Sequence, residues 1–346
     1  MLKRAALNTQ RSSPVLVIST GCPAGIGPEV SVAAAARLRG TPCILVGDEA
    51  TLLDAADLMG VPRRRFARFN GAIAAKQRLY IQPCGPALKA SDRRPGKPSS
   101  KAGRAQLAYI EAAYRLARAA KARALVTGPV SKAAIAHSGE RRARAFLGHT
   151  EWLRDLDGAE SSVMCFAASK LVTSLVTTHL PISRVPESLS AAGVAEATLW
   201  LGRLVRALGY ERPELAVCSL NPHAGESELL GSEERKAIVP GIRSAARKLG
   251  RSVRVSGPIG AESAYRKAFA GQYAGVVAMY HDQATIPMKL VAFGEAVNVT
   301  MGLSIVRTSV DHGTAYDIAW QGIADPQGMS SALTLAARLA GAPPRS

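Results

Sequence analysis

Aromatic residues make up only 5% of the 346-residue chain, and its five cysteines (Cys22, Cys43, Cys84, Cys165 and Cys218) include no C-x-x-C pair. The first shortage removes the alternation of bases and aromatics that single-strand nucleic-acid binders use for stacking. The second removes a disulfide framework or a zinc ribbon and points to a reducing cytoplasm. No apolar run approaches the roughly 18–20 residues needed to cross a bilayer. The N-terminal residues 1–13 are basic but lack a signal-peptide core, and read as a mobile leader.

Acidic residues are scarce at one end only. Residues 1–150 carry 25 Lys/Arg against 8 Asp/Glu, a surplus of 17, whereas residues 151–346 carry 19 against 18, a surplus of 1. A net charge of +18 and a pI near 10.2 would suit a nucleic-acid partner. The cations instead fall in short clusters, Arg63-Arg64-Arg65, Arg93-Arg94 and Arg141-Arg142 with Arg144. No helix-turn-helix, zinc-finger or RNA-binding signature accompanies them. A solvated basic face is the preferred reading, and a basic nucleic-acid-binding protein is the alternative from another class.

What the chain does contain is 47% hydrophobic residues at a mean hydropathy of +0.06, enough for a substantial core. Short β-branched runs at Val15–Thr20, Cys43–Val46, Leu79–Gln82, Ala124–Thr127, Leu171–Thr177, Leu215–Ser219, Val253–Ser256, Val276–Met279 and Ala296–Thr300 alternate with helix-like stretches. Examples of the latter are Lys101–Lys121 and Ala191–Leu208, and Ala90–Gly103 reads as an exposed loop. This alternation predicts an α/β protein with mainly parallel sheet.

Polar groups follow several strands directly: Thr127-Gly128-Pro129, then His179, Asn221-Pro222-His223 and Tyr280-His281-Asp282-Gln283. Parallel sheets bind ligands outside the carboxyl ends of their strands, so these groups are expected to share a crevice. Three imidazoles there would make a divalent-metal site, but satisfied structural histidines are the more usual reading from the residues alone. The Gly21–Glu29 loop is not G-x-G-x-x-G; an anion cradle and a bare tight turn both remain open. Lys289, Asn298 and Arg307, in a partly apolar stretch, suit a phosphate or carboxylate.

The strings GCPAGIGPEV (21–30), LVTGPVSKAAI (125–135), LGHTEWL (147–153), LVTTHLPISRVP (175–186), LNPHAGE (220–226), MYHDQ (279–283), AVNVTMGL (296–303) and RTSVDHGTAYDIA (307–319) resemble, in order, the 4-hydroxythreonine-4-phosphate dehydrogenase family of vitamin B6 biosynthesis. The resemblance covers roughly residues 14–340. It implies two α/β/α domains like those of isocitrate and isopropylmalate dehydrogenases, with the active site in the cleft between them. Residues 14–150 with 311–346 would form the first domain and residues 151–310 the second. The implied substrate contacts are His149, Thr150, Lys289, Asn298 and Arg307. The implied metal ligands are His179, His223 and His281, for one zinc, magnesium or cobalt ion. NAD would be the oxidant, bound without a Rossmann fingerprint, and a homodimer would complete each site from both chains. Asp282 and Lys132 are the candidate acid–base residues.

The implied reaction is NAD-dependent oxidation and decarboxylation of 4-phosphohydroxy-L-threonine to 3-amino-2-oxopropyl phosphate in pyridoxal 5'-phosphate biosynthesis. Similar enzymes act on 4-phospho-threonate or 4-phospho-erythronate, or on cyclic dihydrodiols. The chain departs from the family pattern at Cys22 (usually Asp), Ser227-Glu228, Glu262, Ala284 and Ser304 (usually Pro).

Overall fold

A computed structural model describes residues 14–119 and 124–341. The expected leader and the end of the expected helix Lys101–Lys121 lie outside the described residues. The strands are β1 (Leu16–Ser19), β2 (Cys43–Gly47), β3 (Phe66–Arg68), β4 (Leu79–Pro83), β5 (Ala124–Thr127), β6 (Val163–Ala167), β7 (Val172–Leu175), β8 (Glu214–Cys218), β9 (Arg254–Ile259), β10 (Gly275–Ala278), β11 (Val297–Met301) and β12 (Val306–Ser309). They join in one sheet of order β3-β4-β2-β1-β5-β12-β11-β6-β7-β10-β8-β9. Among the described residues, only β11 with β12, β11 with β6, and β6 with β7 pair antiparallel. The expected α/β class with mainly parallel sheet is therefore what forms.

Three strands escape the sequence pattern. β3 is three residues long and lies at a sheet edge beside the Arg63-Arg64-Arg65 cluster. β12 reads Val-Arg-Thr-Ser, because one of its faces is polar rather than apolar. β6 (Val-Met-Cys-Phe-Ala) is buried along its whole length and has no alternation to reveal it.

Side chains alternate across the sheet and divide the core. Leu16, Ile18, Val126, Val299, Cys165 and Val277 share one continuous cluster with the helices Gly27–Arg37, Ala191–Ala207 and Gln327–Gly341. The opposite face carries two separate clusters. One contains Val17, Leu125 and residues of the helix Ser100–Ala119; the other contains Phe166, Val276 and Met288. Between those two clusters, on β12 and β11, the sheet presents Arg307, Thr300 and Asn298 instead of apolar side chains. The register places Thr300 opposite Arg307 and Asn298 opposite Ser309, so all four share that face. The gap in the apolar layer is where the polar chemistry collects.

Local signals position the remaining elements. Ser131 caps the short helix Lys132–Ala136 by accepting from Ala134 N at 3.1 Å, which puts Lys132 in its first turn. The helix His149–Asp157 starts directly after Gly148 and stops at Gly158, whose φ of 67° lies in the left-handed region that favours glycine.

Candidate active site

Arg307 is a buried cation held by hydroxyl groups. Its guanidinium donates from Nη1 to Thr300 Oγ1 (2.8 Å) and from Nη2 to Thr127 Oγ1 (2.7 Å), and the residue is only 3% exposed. No acidic side chain pairs with it at salt-bridge distance among the described residues. Burial lowers its pKa to about 10, with the Glu151 carboxylate pulling the other way, so it stays cationic at neutral pH. Three buried polar atoms here have no protein partner: Arg307 Nε, Asn298 Oδ1 and His149 Nε2. Buried polar atoms without partners are costly, and a group of them is the mark of a site that a polar ligand completes.

His149 belongs to the same group. Burial, then the positive charges of Arg307 and Lys132, hold its pKa well below the usual histidine value, so the ring is neutral. Its ring stands edge-on to Phe146, with centroids 6.2 Å apart. Thr150 follows His149 in the first turn of that helix. Lys132 is exposed, but its Nζ lies close to Gly148: a Cβ at that glycine would stand 3.6 Å from it and 2.9 Å from Glu151 Oε2. Lys289 is exposed on the helix His281–Ala292, and its side chain carries no bond to the cluster. The structure thus brings His149, Arg307 and Lys132 together, and places Asn298 on the same sheet face.

The histidines gather at the other half of the sheet. β7, β10 and β8 are parallel neighbours, so the segments after their carboxyl ends lie side by side. His179 and His281 have ring centroids 5.6 Å apart. Burial, followed by the charge of Lys132, lowers the pKa of His179 and keeps the ring neutral. The Asp282 carboxylate contacts His281 Nδ1 at 2.7 Å. A carboxylate on one ring nitrogen fixes the tautomer that leaves the other nitrogen available to a metal. His223 is exposed and lines an adjoining cavity of about 770 Å³ with Tyr280, Asp282 and Gln283. The small recess beside His179 and His281 shares Tyr280 and Asp282 with that cavity. Among the described residues, no three His, Cys, Asp or Glu side chains converge closely enough to hold a metal within one chain. The donor types fit a divalent cation, and two of the three stand together. The expected crevice thus unites the segments after β7, β10 and β8, while Thr127 holds Arg307 four strands away from β7.

The Gly21–Glu29 loop is a packed turn. Cβ atoms at Gly21 and Gly27 would collide with the carbonyl oxygens of Pro129 and Thr20, and one at Gly25 would lie 2.8 Å from Thr314 O. Its glycines are explained by backbone approach. Cys22, in place of the family's Asp, lies with Sγ 3.5 Å from Tyr316 OH, and burial pushes its thiol pKa up. Ser304, in place of Pro, uses its restored N–H to donate to Asp157 Oδ2 at 2.8 Å.

Two contributors were not singled out by sequence: Thr300, which with Thr127 holds Arg307, and Glu151, within electrostatic reach of Arg307 and His179; Thr127 and Gln283 were read only as polar groups following strands. Thr127, Glu151, Thr300 and Gln283 all lie inside the quoted motif strings, which was the available signal.

A buried, unpaired arginine and a neutral histidine beside a histidine cluster on an open α/β sheet define an enzyme that handles a small anionic substrate. The comparisons are specific. Residues 39–336 match the family model described as "Pyridoxal phosphate biosynthetic protein PdxA". The chain is 37% identical over 334 residues to the 4-hydroxythreonine-4-phosphate dehydrogenase of Geobacter metallireducens, covering 95% of this chain and 96% of that one. It is also 37% identical over 336 residues to the D-threonate 4-phosphate dehydrogenase of Salmonella typhimurium, covering 94% and 98%. The crystal structure of 4-hydroxythreonine-4-phosphate dehydrogenase from Klebsiella pneumoniae superposes with a TM-score of 0.82 at 34% identity, covering 95% of this chain and all of that one. The chain belongs to the PdxA family and is a dehydrogenase. No helix among the described residues is long and apolar enough to cross a membrane.

Proposed function

We propose that the protein oxidises 4-phosphohydroxy-L-threonine with NAD and releases 3-amino-2-oxopropyl phosphate and CO₂, in the cytoplasm, on the route to pyridoxal 5'-phosphate. The observation that carries this reading is the group of unpartnered buried atoms, Arg307 Nε, Asn298 Oδ1 and His149 Nε2, where the positive charges of Arg307 and Lys132 act on His149. Phosphate or carboxylate oxygens of the substrate would accept from Arg307 Nε and from His149 Nε2 when that nitrogen carries the ring proton, and its amine or hydroxyl would donate to Asn298 Oδ1. The free cysteines, four of them buried, suit a reducing compartment.

The chemistry balances as follows. The carbon bearing the hydroxyl β to the carboxylate gives its hydrogen to NAD as hydride, and the hydroxyl proton leaves to a base. The resulting β-keto acid loses CO₂ as its C–C bond breaks, and the electron pair left behind takes up a proton. One divalent metal (zinc, magnesium or cobalt), with His179, His223 and His281 as ligands, would act as a Lewis acid for the oxygen that changes charge. Arg307, Lys289, His149, Thr150 and Asn298 bind and orient the substrate ends. Asp282 holds the His281 tautomer, and Lys132, close to Gly148 and His149, serves proton exchange.

Two copies of the chain would complete each site. The three histidines do not converge within one chain. Beside Lys289, Ile286, Leu290 and Phe293 are 60%, 81% and 84% exposed at helical spacing, an apolar stripe that a second copy would cover. With the boundaries expected from the sequence, the first α/β/α domain would hold strands β1–β5 and the second β6–β12.

A second reading is oxidation of D-threonate 4-phosphate, favoured by a relative of that name at the same 37% identity. The deciding experiment measures NADH formation by metal-loaded protein on the two phosphorylated substrates side by side. Higher kcat/KM on 4-phosphohydroxy-L-threonine supports the first reading, and the reverse order selects the second. No reduction of NAD with either substrate would refute both.

A further inference from the structure

We propose that Gln283 is a positioning residue that ties the His281 turn to the loop carrying His223, so that both histidines are presented to the metal from a fixed base; this rests on reading those histidines as metal ligands. The ladder between β8 and β10 ends at the pair Val217 and Val277. Just beyond it, the Gln283 side chain acts as the next rung. Its Oε1 accepts from Met279 N at 2.7 Å, and its Nε2 donates to Ser219 O at 3.0 Å. One amide therefore satisfies a backbone donor at the end of β10 and a backbone acceptor at the end of β8. Gln283 is two residues after His281, and its acceptor Ser219 is four residues before His223.

The far side of the same loop is held as firmly. Glu234, 6% exposed, accepts at Oε1 from Leu220 N and Asn221 N, each at 2.9 Å, and at Oε2 from Asn221 Nδ2 at 2.9 Å. Ser219 Oγ donates to Asn221 O at 2.9 Å. The segment these bonds anchor then enters an unfavourable conformation: His223 and Ala224 have φ of 51° and 54°. Non-glycine residues in the left-handed region are strained and persist where their surroundings over-determine them. Glu234 fixes where the loop starts. Gln283 fixes that start relative to His281.

The proposal predicts a loss in metal affinity that exceeds the loss in stability. Gln283→Leu removes both bonds at similar volume; Gln283→Glu keeps the acceptor for Met279 N and turns the donor to Ser219 O into a repelling oxygen. Removing groups that orient metal ligands typically weakens binding about 10–100-fold. Apo protein of each variant is titrated with Co²⁺, following visible absorption, with thermal melting of the apo forms in parallel. Both variants are expected to bind Co²⁺ about 10–100-fold more weakly, with apo melting temperatures close to wild type. Saturating Co²⁺ should restore kcat while the KM for phosphorylated substrate stays unchanged. If Gln283→Leu does not fold, Gln283→Glu decides the matter by the same titration. Wild-type Co²⁺ affinity in the folded variants, or a loss matched by an equal fall in apo stability, overturns the proposal. His223→Ala and His281→Ala are titrated alongside. If both bind Co²⁺ as wild type does, it is the metal reading that fails, and the proposal falls with it.

Discussion

Arg307 stands near enough to His149 for its charge to depress the imidazole's pKa, and each residue keeps one buried nitrogen with no protein partner. The arginine is fixed by hydroxyls rather than by a carboxylate, through Thr300 on the neighbouring strand and Thr127 on the other side. A neutral hydroxyl orients a guanidinium without cancelling its charge, which leaves that charge for a ligand.

Arg307→Met should therefore lose the phosphorylated substrate far more than the cofactor. Truncating one member of a buried charged pair costs about 2–5 kcal/mol, so KM for substrate should rise by about 30-fold or more with KM for NAD within a factor of a few. Steady-state kinetics in both substrates checks this, and equal losses would contradict the assignment. Arg307→Lys, which cannot reach both threonines, should recover only part of the loss.

His149 should leave a mark on acid stability. An unfolded histidine titrates near 6.5, and the folded ring is held well below that. Between the two values the unfolded chain binds the additional proton, so stability rises with pH across that window and is lost as pH falls below about 6.5. His149→Gln should remove up to about 1.4 kcal/mol per pH unit of that slope. Urea unfolding at pH 5 and pH 7.5 should show the variant losing less on acidification than wild type; parallel losses would count against a buried neutral ring.

Chelation should abolish NADH formation and added divalent metal should restore it. His223→Ala should abolish metal retention with little change in circular dichroism, since the side chain is exposed on its loop. Elemental analysis showing wild-type metal content in that variant would remove His223 from the ligand set.

Gly103→Ala tests how Lys132 is placed. A Cβ at Gly103 would run into the Ala134 carbonyl oxygen, in the short helix that starts at Lys132. Overpacking of this kind costs about 1–3 kcal/mol. A lower melting temperature together with a reduced kcat is expected. An unchanged melting temperature would mean that the helices Ser100–Ala119 and Lys132–Ala136 are not packed as described.

The site was legible in unequal parts. The histidines could be placed after strand ends because Val276–Met279 and Leu215–Ser219 announce their strands by composition, and turns following parallel strands sit at one edge. Arg307 was legible as a binding residue but not as part of a strand, since β12 has an apolar face only where Val306 and Thr308 point away from the site. The partners of Arg307 were not legible: Thr127 lies 180 positions away in sequence. The link from Gln283 to Ser219 spans 64 positions and runs through a backbone carbonyl, an acceptor every residue carries.

By itself the sequence determined the alternation of strands and helices, the family, and which side chains are the candidates for holding an anion and a metal. Those follow from local composition and ordered motifs, which short-range physics and resemblance can read. Only the tertiary structure decided that the core is continuous on one face of the sheet and interrupted on the other. It also decided that the interruption holds Arg307 and Asn298, and that the three histidines of one chain stop short of a complete metal site. The register of β11 against β12, and the helices that leave this face uncovered, depend on pairings between distant segments, and no local stretch encodes them.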